Sequence, residues 1–497
     1  MSDPTHIDST RLPVIVGVGE VNDRPAVAVD GLDPAGLMAA ALAAADADAG
    51  GGWLARCERL SIVPQIGFPG FDVPAALARA TGIAHDRIEE TGLASGDTPI
   101  RLLDEAAAAI RAGTIEVAAI TGGEALRTAA ARAKAAGGGA GLFAGSAQSA
   151  APLRRRYGLI GPSDIYPLYE NALRAELGQT LAEAQVETGR IWSLMSEVAT
   201  HADGAWLHTP RTPDEIATPD ADNRPIAFPY TKLMVANASV NQGAAMIVTS
   251  LAAARAAGIA EDRIVHVGAG AGAHESEDPL ARAGWTTSPS MRASIERALA
   301  LNAIGVDTID LVELYSCFPC VPKMARRLLG WPLDRPITVH GGLTFGGGPI
   351  GNYMGHAVAA MVRRIRGGAR NGFLFANGGH CSHNHSLLLT REAPVTPLPA
   401  PGDTQAEADA QRGPIPPLTD AIEGALPVET YTVVYDRTGA PAYGVVLSRA
   451  PTGERVVARV LPDDAVSIAW LTDGAVEPVG RMGINRREGD LLVWRAA

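Results

Sequence analysis

Short apolar runs that end in glycine or in polar residues recur along most of the chain. The runs at residues 13–19, 60–64 and 117–121 have the pattern of buried strands. Alanine-rich segments at residues 33–46 and 97–113 separate them and have the pattern of helices. This order of strand, helix and strand predicts right-handed crossovers and a parallel sheet that is covered on both faces.

The alternation of strands and helices breaks at residues 125–223, which are helical and polar in patches. We interpret this segment as an insertion that lies over the sheet. Strands are predicted again at 244–250, 263–268, 310–314 and 372–376, with helices at 289–301 and 356–365. The second half repeats the order of elements in the first half, although the two halves share no visible sequence identity.

The composition of the chain changes after residue 392. A proline-rich stretch, residues 392–417, has the character of a semi-extended linker. Residues 429–494 then alternate apolar and polar side chains with period two, with glycine-bearing turns between the runs. This pattern predicts a small all-β domain of about five strands.

Charge and cysteine content exclude several classes of function. The 497 residues carry a net charge of −12 and the sequence pI is about 5.4, which disfavours nucleic acid and anionic membranes as partners. No apolar run is long enough to span a membrane and the N-terminus lacks signal-peptide character, so we expect a cytoplasmic protein. The 4 cysteines are too few and too scattered for a disulfide framework.

Polar side chains follow the predicted strand at 310–314. Tyr315, Ser316 and Cys317 stand at its end, where α/β proteins present catalytic groups at a sheet edge. Cys317 and Cys320 form a CxxC pair that the histidines and cysteine near residue 380 could complete as a zinc site. A zinc knuckle needs a turn, whereas this pair ends an apolar strand, so we expect no metal ligands.

Two further stretches suggest chemistry. Residues 341–356 hold seven glycines, including Gly347 and Gly348, and backbone N–H groups of such a loop can bind an oxyanion or phosphate. The alternative is a tight strand-to-helix crossover. Residues 377–385 combine His380, Cys381 and His383, where an imidazole could activate a thiol, and the alternative is a solvated loop with one structural cysteine.

Several motifs occur together in one order. They are VGVGE at 16–20, DTP at 97–99, YPLYENALR at 166–174, NRPIAFPYTKLM at 223–234, ELYSCFP at 313–319, GGLTFGGGP at 341–349 and ANGG at 376–379. Through them the chain resembles the thiolase superfamily, and most closely thiolase-like proteins type 1, a group with an additional C-terminal domain.

The resemblance implies an α/β fold of two stacked βαβαβαββ halves in five layers (αβαβα), with a helical loop insertion and a small C-terminal all-β domain. The expected boundaries are 1–270 for the first half, with its loop domain at about 125–235, and 271–395 for the second half. A linker at 396–425 and the β domain at 426–497 follow. Thiolases usually dimerise, but the extra domain could replace that contact, so we expect a monomer or a homodimer.

Departures from the thiolase pattern concern the catalytic positions. The nucleophilic cysteine of the family aligns with Leu93, which cannot form an acyl-enzyme. The histidine of the Gly-His-Pro motif aligns with Gly348, and the cysteine of the Cys-x-Gly motif aligns with Ala376. Cys317 is retained and matches the acid/base thiol of sterol-carrier-type thiolases, and Ser95 is a reserve nucleophile.

Two functional interpretations follow. In the first, the chain is an acyl-CoA-dependent acyltransferase that makes or breaks carbon–carbon bonds without an acyl-enzyme and without a tightly bound cofactor. The candidate catalytic residues are Cys317, His380, Cys381, His383, His356, Tyr315 and Ser95, and the candidate CoA-binding residues are Gly347, Gly348, Asn377, Gly378, Gly379, Tyr230 and Lys232. In the second, it is a catalytically degenerate CoA-binding protein or supporting subunit, and a third possibility is a scaffold whose β domain binds a protein partner. The catalytic interpretation requires the thiol at 317 and the imidazoles after 379 to meet in one crevice.

Overall fold

The computed structural model describes residues 9–92, 94–138, 151–394 and 404–497. The strands of its main sheet are β1 (Pro13–Asn22), β2 (Arg59–Val63), β3 (Ile88–Glu90), β4 (Val117–Ala125), β7 (Asn241–Ser250), β8 (Val265–Val267), β9 (Ala271–His274), β10 (Leu311–Leu314), β11 (Asn371–Gly378) and β12 (His383–Thr390). The strands of the second sheet are β5 (Pro225–Ala227), β6 (Tyr230–Thr231), β13 (Leu418–Thr419), β14 (Gly424–Tyr435), β15 (Pro441–Arg449), β16 (Arg455–Val460), β17 (Met482–Glu488) and β18 (Leu491–Ala496).

The helices of the described ranges connect and cover these strands. They are α1 (Pro34–Asp48), α2 (Val73–Thr81), α3 (Thr98–Ala112), α4 (Leu126–Ala135), α5 (Pro152–Tyr157), α6 (Pro162–Glu176), α7 (Leu181–His201), α8 (Pro213–Ala217), α9 (Leu251–Ala256), α10 (Pro289–Leu301), α11 (Cys320–Leu329), α12 (Tyr353–Arg366), α13 (Thr404–Ala410) and α14 (Ala465–Thr472). None of them, in the ranges that the structure describes, has the length and apolar character needed to cross a membrane.

The main sheet is continuous through both halves of the α/β region. Its order is β10-β11-β12-β8-β1-β7-β4-β2-β3, with β9 paired to β12. The pairs β2–β3, β2–β4 and β10–β11 are parallel, whereas β1–β7, β4–β7 and β11–β12 are antiparallel. The prediction of a wholly parallel sheet is therefore wrong, because the last strands of each half return as antiparallel neighbours.

Helices α3 and α12 lie together beside the centre of this sheet. α3 contacts β1, β4, β7, β11 and β12, and α12 contacts β1, β7 and β11. α12 is buried over most of its length, and Pro99 lies in the first turn of α3, where its missing N–H is not needed. The sheet and this predominantly buried helical pair form the layered α/β arrangement that was expected.

The C-terminal strands close into a small barrel. β14 pairs with β15 and β17, β15 pairs with β16, and β18 pairs with both β16 and β17. These five strands match the predicted number, but α14 was not predicted. The hairpin β5–β6, which belongs to the insertion, adds to β14 and so joins the insertion to the barrel.

Contacts between the insertion and the barrel are polar as well as apolar. The Asn171 amide of α6 donates to the backbone oxygen of Tyr431 at 3.0 Å, and the Arg174 guanidinium donates to the Tyr431 hydroxyl at 2.9 Å. Asn171 and Arg174 are both buried. The barrel therefore packs against the loop insertion through direct hydrogen bonds, although the Asn171 Oδ1 and Arg174 Nε atoms have no partner among the described residues.

Candidate active site

The loop before α3 meets the ends of β10 and β11. A Cβ atom added at Gly96 would lie 2.2 Å from the Asn377 backbone oxygen and 2.3 Å from the Tyr315 hydroxyl oxygen. A Cβ atom added at Gly378 would lie 1.9 Å from the Ser95 hydroxyl oxygen. Glycine at both positions thus allows the helix start, the strand end and the β11–β12 turn to approach closely. The structure brings the predicted residues Ser95, Tyr315, Asn377 and Gly378 together.

Asp97 also belongs to this centre, and the sequence analysis treated it only as part of a helix start. Its backbone oxygen accepts the first helical bonds of α3, but its side chain does not cap the helix. The carboxylate instead accepts a hydrogen bond from the Ser95 hydroxyl. The side chain of Asp97 is buried beside Gly378. The motif DTP, two residues after Ser95, was the signal that could have identified this carboxylate.

Burial keeps the phenol and the thiol of this centre in their neutral forms. Desolvation raises the pKa of Tyr315 well above its ordinary value, and the nearby Cys317 and Asp97 raise it further. Desolvation also raises the pKa of the Cys317 thiol to about 12. At neutral pH both groups are therefore hydrogen-bond donors, and Cys317 is not the thiolate that a base or nucleophile would have to be.

Tyr166, on α6, connects the two cysteine-bearing loops. Its hydroxyl lies 3.1 Å from the Gly379 backbone oxygen and accepts the Cys381 N–H at 3.1 Å. Its ring stacks on Phe318 with a centroid distance of 4.5 Å. Cys381 has a φ of 63°, which is rare for a residue other than glycine, and burial raises the pKa of its thiol to about 11.

The histidines of the 377–385 segment have different partners. The His380 ring lies 6.4 Å from the Tyr166 ring, and burial lowers the pKa of His380 to about 4. His383 pairs with Gly378 across β11 and β12, and its ring lies 3.4 Å from the place of a Cβ atom at Gly379. His383 lies 2.7 Å from a Glu277 carboxylate oxygen, and His385 lies 3.1 Å from a carboxylate of α3. His383 thus borders the Gly378–Gly379 turn with Glu277 as its partner, and its catalytic role stays a prediction.

The glycine-rich loop is packed by protein groups. The Gly348 N–H donates to the Asn237 backbone oxygen at 2.8 Å, and the Leu343 N–H donates to the Ser316 hydroxyl at 3.2 Å. A Cβ atom at Gly347 would lie 2.0 Å from the Gln242 side-chain oxygen. The Gly348 N–H is therefore used within the protein, which favours the alternative of a tight crossover at that residue, and a ligand-facing role of Gly347 stays a prediction.

Two other predicted binding residues lie outside the centre. Tyr230 is buried behind Phe318 and its hydroxyl donates to the Glu170 carboxylate at 3.1 Å. Lys232 is exposed, and its ammonium donates to the Asp222 backbone oxygen at 3.2 Å. Both side chains have partners within the protein, and their assignment to CoA binding stays a prediction.

The CxxC pair is not a metal site in the described ranges. Cys320 is the first residue of α11, and its thiol contacts the Tyr166 backbone oxygen at 3.7 Å. The 4 cysteines are free and buried. The side chains there that could converge on one ion are Glu20, His340 and His356, a set without cysteine. Leu93, which aligns with the family nucleophile, lies outside the described residues.

His356 belongs to this second cluster and not to the centre around Cys317, which corrects its prediction as an active-site residue there. Its Nδ1 atom lies 2.8 Å from a Glu20 carboxylate oxygen, and the His340 Nδ1 atom lies 3.7 Å from the same oxygen. Burial alone would raise the pKa of Glu20, but the His356 hydrogen bond and nearby positive charge lower it to about 2. Burial lowers the pKa of His340 to about 4.

Comparisons with known proteins show what the chain is similar to. Residues 403–490 match the family model described as the thiolase-like protein type 1 additional C-terminal domain. The monomeric SCP2-thiolase-like protein type 1 from Mycobacterium smegmatis is 29% identical, with 100% of both chains covered and a TM-score of 0.83. The resemblance to thiolase-like proteins type 1 is confirmed.

More distant structures share the fold of this thiolase-like protein. The human mitochondrial 3-ketoacyl-CoA thiolase is 13% identical, with a TM-score of 0.58 and coverage of 78% of this chain and 100% of the thiolase. A structure named Ltp2-ChsH2(DUF35) aldolase is 20% identical, with a TM-score of 0.62 and coverage of 77% and 98%. No curated protein matches the sequence.

Proposed function

We propose that this thiolase-like protein is an acyl-CoA-dependent acyltransferase that makes or breaks a carbon–carbon bond without an acyl-enzyme. The observation that carries the proposal is the contact of the Ser95–Asp97 pair with Tyr315 and the Gly378 turn, at the helix start where thiolases hold their nucleophile. This arrangement offers a carboxylate base and a neutral donor within one buried centre.

Each group has a role that its chemistry allows. Asp97, acting directly or through the Ser95 hydroxyl, would remove the proton from the carbon next to a thioester carbonyl. The neutral Tyr315 phenol would donate a hydrogen bond to the oxygen on which negative charge develops. Because burial raises the pKa of Cys317 to about 12, we assign Cys317 to donating a hydrogen bond and not to proton abstraction.

The proposed reaction is balanced without a covalent intermediate on the protein. In the synthetic direction the enolate carbon of one acyl group attacks the thioester carbonyl of an acyl-CoA. The carbon–carbon bond forms, the carbon–sulfur bond breaks, and CoA leaves as a thiol with the proton that Asp97 had accepted. Cleavage is the reverse, with CoA as the acceptor of the acyl group.

The experiment uses the full chain with acetyl-CoA and a panel of β-ketoacyl-CoA substrates, and it measures product by mass spectrometry. We expect turnover above buffer for the wild type, and a loss of about 10²–10³ in kcat for Tyr315→Phe, as for removal of one oxyanion donor. Asp97→Asn should lose activity while CoA binding persists. Cys57→Ser, a buried thiol in the other core region, is the matched control and should retain activity. Turnover indistinguishable from buffer would reject the catalytic proposal.

A CoA-binding protein or supporting subunit is the second candidate. The neutral, buried state of Cys317 and Cys381 favours it, because neither thiol is ready for catalysis. Calorimetric titration with CoA and acetyl-CoA separates the candidates: binding without turnover favours this second function. The neighbour named an aldolase makes aldol cleavage of a β-hydroxyacyl-CoA the first additional reaction to assay.

A further inference from the structure

A second buried cluster of polar side chains lies apart from the contacts of the Cys317 centre. Glu20 is on β1, His340 is in the loop between α11 and α12, and His356 is on α12. One potential ligand atom from each lies within 4.8 Å of the other two. One carboxylate and two imidazoles from three separate parts of the chain therefore lie close together.

Unsatisfied ring nitrogens indicate that a partner is missing from this cluster. The Nδ1 atom of His340 and the Nε2 atom of His356 lack a hydrogen-bond partner in the part of the chain that the structure describes, while the His340 Nε2 atom lies near the Gly346 backbone. The side chains of His340 and His356 are each only 1% exposed, so water from the surface does not replace such partners freely. Buried polar atoms are nearly always paired, so an unpaired imidazole beside a carboxylate indicates a ligand.

The donor set is typical of one class of ion. Two histidines and one glutamate hold Zn²⁺ in catalytic-type sites that leave a fourth position open, whereas Ca²⁺ and Mg²⁺ prefer oxygen ligands. Bonds of about 2.0 Å in a tetrahedral site place ligand atoms about 3.3 Å apart. The distances from the Glu20 oxygen, 2.8 Å to His356 and 3.7 Å to His340, lie on either side of that separation.

A cleft of about 650 Å³ gives access to the cluster. It runs between the end of α7 and α12, and His340 forms part of its wall together with Asp203 and Gly204. A Cβ atom at Gly204 would lie 2.1 Å from the Glu20 oxygen that faces both histidines, so glycine leaves that oxygen approachable from the cleft. An ion could enter here, and its open position would face the cleft.

Arg363 lines the same cleft, and its positive charge neutralises the Glu20 carboxylate in this structure. Its guanidinium pairs with the second carboxylate oxygen of Glu20, and its side chain is 41% exposed. Because the arginine is partly in solvent, it can turn outward when another cation replaces its charge. The arginine is thus a competitor for the site and not a part of its donor set.

We propose that Glu20, His340 and His356 bind one divalent ion of the zinc type, with an open coordination position toward the α7–α12 cleft. This site is separate from the proposed acyl-CoA chemistry and does not depend on it.

The first test is calorimetric titration of the EDTA-stripped full chain with zinc chloride at neutral pH. We expect one ion per chain, and the visible absorption of a tetrahedral site when cobalt chloride is used. His340→Gln should weaken binding by more than roughly tenfold, because it removes one of three ligands. His266→Gln is the matched control: His266 is also buried with an unpaired ring nitrogen, but it lies outside the cluster. His266→Gln should bind as the wild type does.

A second variant keeps the proposal testable if His340→Gln fails to fold. Arg363→Ala leaves all three ligands in place and removes the competing cation, so zinc should bind roughly two- to fivefold more tightly, in line with an exposed ion pair. Absence of stoichiometric zinc binding by the wild type would overturn the proposal. Equal weakening by His340→Gln and His266→Gln, or no tightening by Arg363→Ala, would overturn it as well.

Discussion

Glu313 makes the stability of this protein depend on pH in an unusual direction. It lies on β10, two residues before Tyr315, and is completely buried. Its carboxyl group accepts hydrogen bonds from the Tyr353 hydroxyl at 2.7 Å and from the Val339 N–H at 2.9 Å. Desolvation outweighs these bonds and raises the pKa of Glu313 to about 7.

The sign and size of the effect follow from linkage. The folded protein holds a proton on Glu313 that the unfolded chain releases above pH 4.5, so the stabilising contribution is complete below 4.5 and is lost as pH rises through about 7. The difference between 4.5 and about 7 corresponds to about 3.4 kcal/mol. Between about pH 5 and about pH 8.5 the expected loss is roughly 2.5 kcal/mol.

Urea unfolding of the wild type and of Glu313→Gln at these two pH values measures this loss. The amide does not titrate, so the wild type should lose roughly 2.5 kcal/mol more than the variant as pH rises. Glu187→Gln is the control, because the pKa of Glu187 is about 2 and its carboxylate stays ionised over this range. If the difference in the free energy of unfolding between the wild type and Glu313→Gln is the same at both pH values, Glu313 does not have the raised pKa assigned to it.

Three other predictions concern packing and charge. Gly378→Ala should cost about 1–3 kcal/mol by denaturation, because its new Cβ atom would meet the Ser95 hydroxyl, whereas Gly284→Ala adds a Cβ atom in open space and should cost little. Lys323→Ala should cost about 3–5 kcal/mol, because it leaves the buried Glu170 carboxylate, now 2.6 Å from the ammonium, without a counter-charge. The double variant with Glu170→Gln and Lys323→Met should recover most of that loss. A thiol reagent at neutral pH should label no cysteine in the native chain and 4 cysteines after denaturation, since all of them are buried. Rapid labelling of the native chain would contradict this.

Periodicity located most elements of the fold but not how they pair. The helix predicted at 97–113 corresponds to α3, and the period-two segments after residue 429 correspond to the barrel strands. Pairing partners are distant in sequence: β8 lies between β1 and β12, and β5–β6 joins a barrel that begins two hundred residues later. Periodicity along a strand indicates which face is buried but does not say which strand is adjacent.

The sequence predicted those residues of the candidate centre that stand at the end of a strand or at the start of a helix. Tyr315, Ser95 and Gly378 stand at such places, and the structure brings them together. The role of Asp97 was not predictable, because it depends on whether the carboxylate caps its own helix or accepts from Ser95. The partners of the histidines were not predictable, because the histidines are close in sequence while the element that faces each ring determines its partner.

The glycine loop explains why the covalent thiolase route could not be restored by one substitution. A cysteine at position 93 would need the imidazole that thiolases place where Gly348 stands here. A Cβ atom at Gly348 would already lie 3.2 Å from the Asn237 backbone oxygen, to which the Gly348 N–H is bonded. The Gly348 N–H is therefore used in packing, and the proposed proton transfer depends on Asp97 and Ser95.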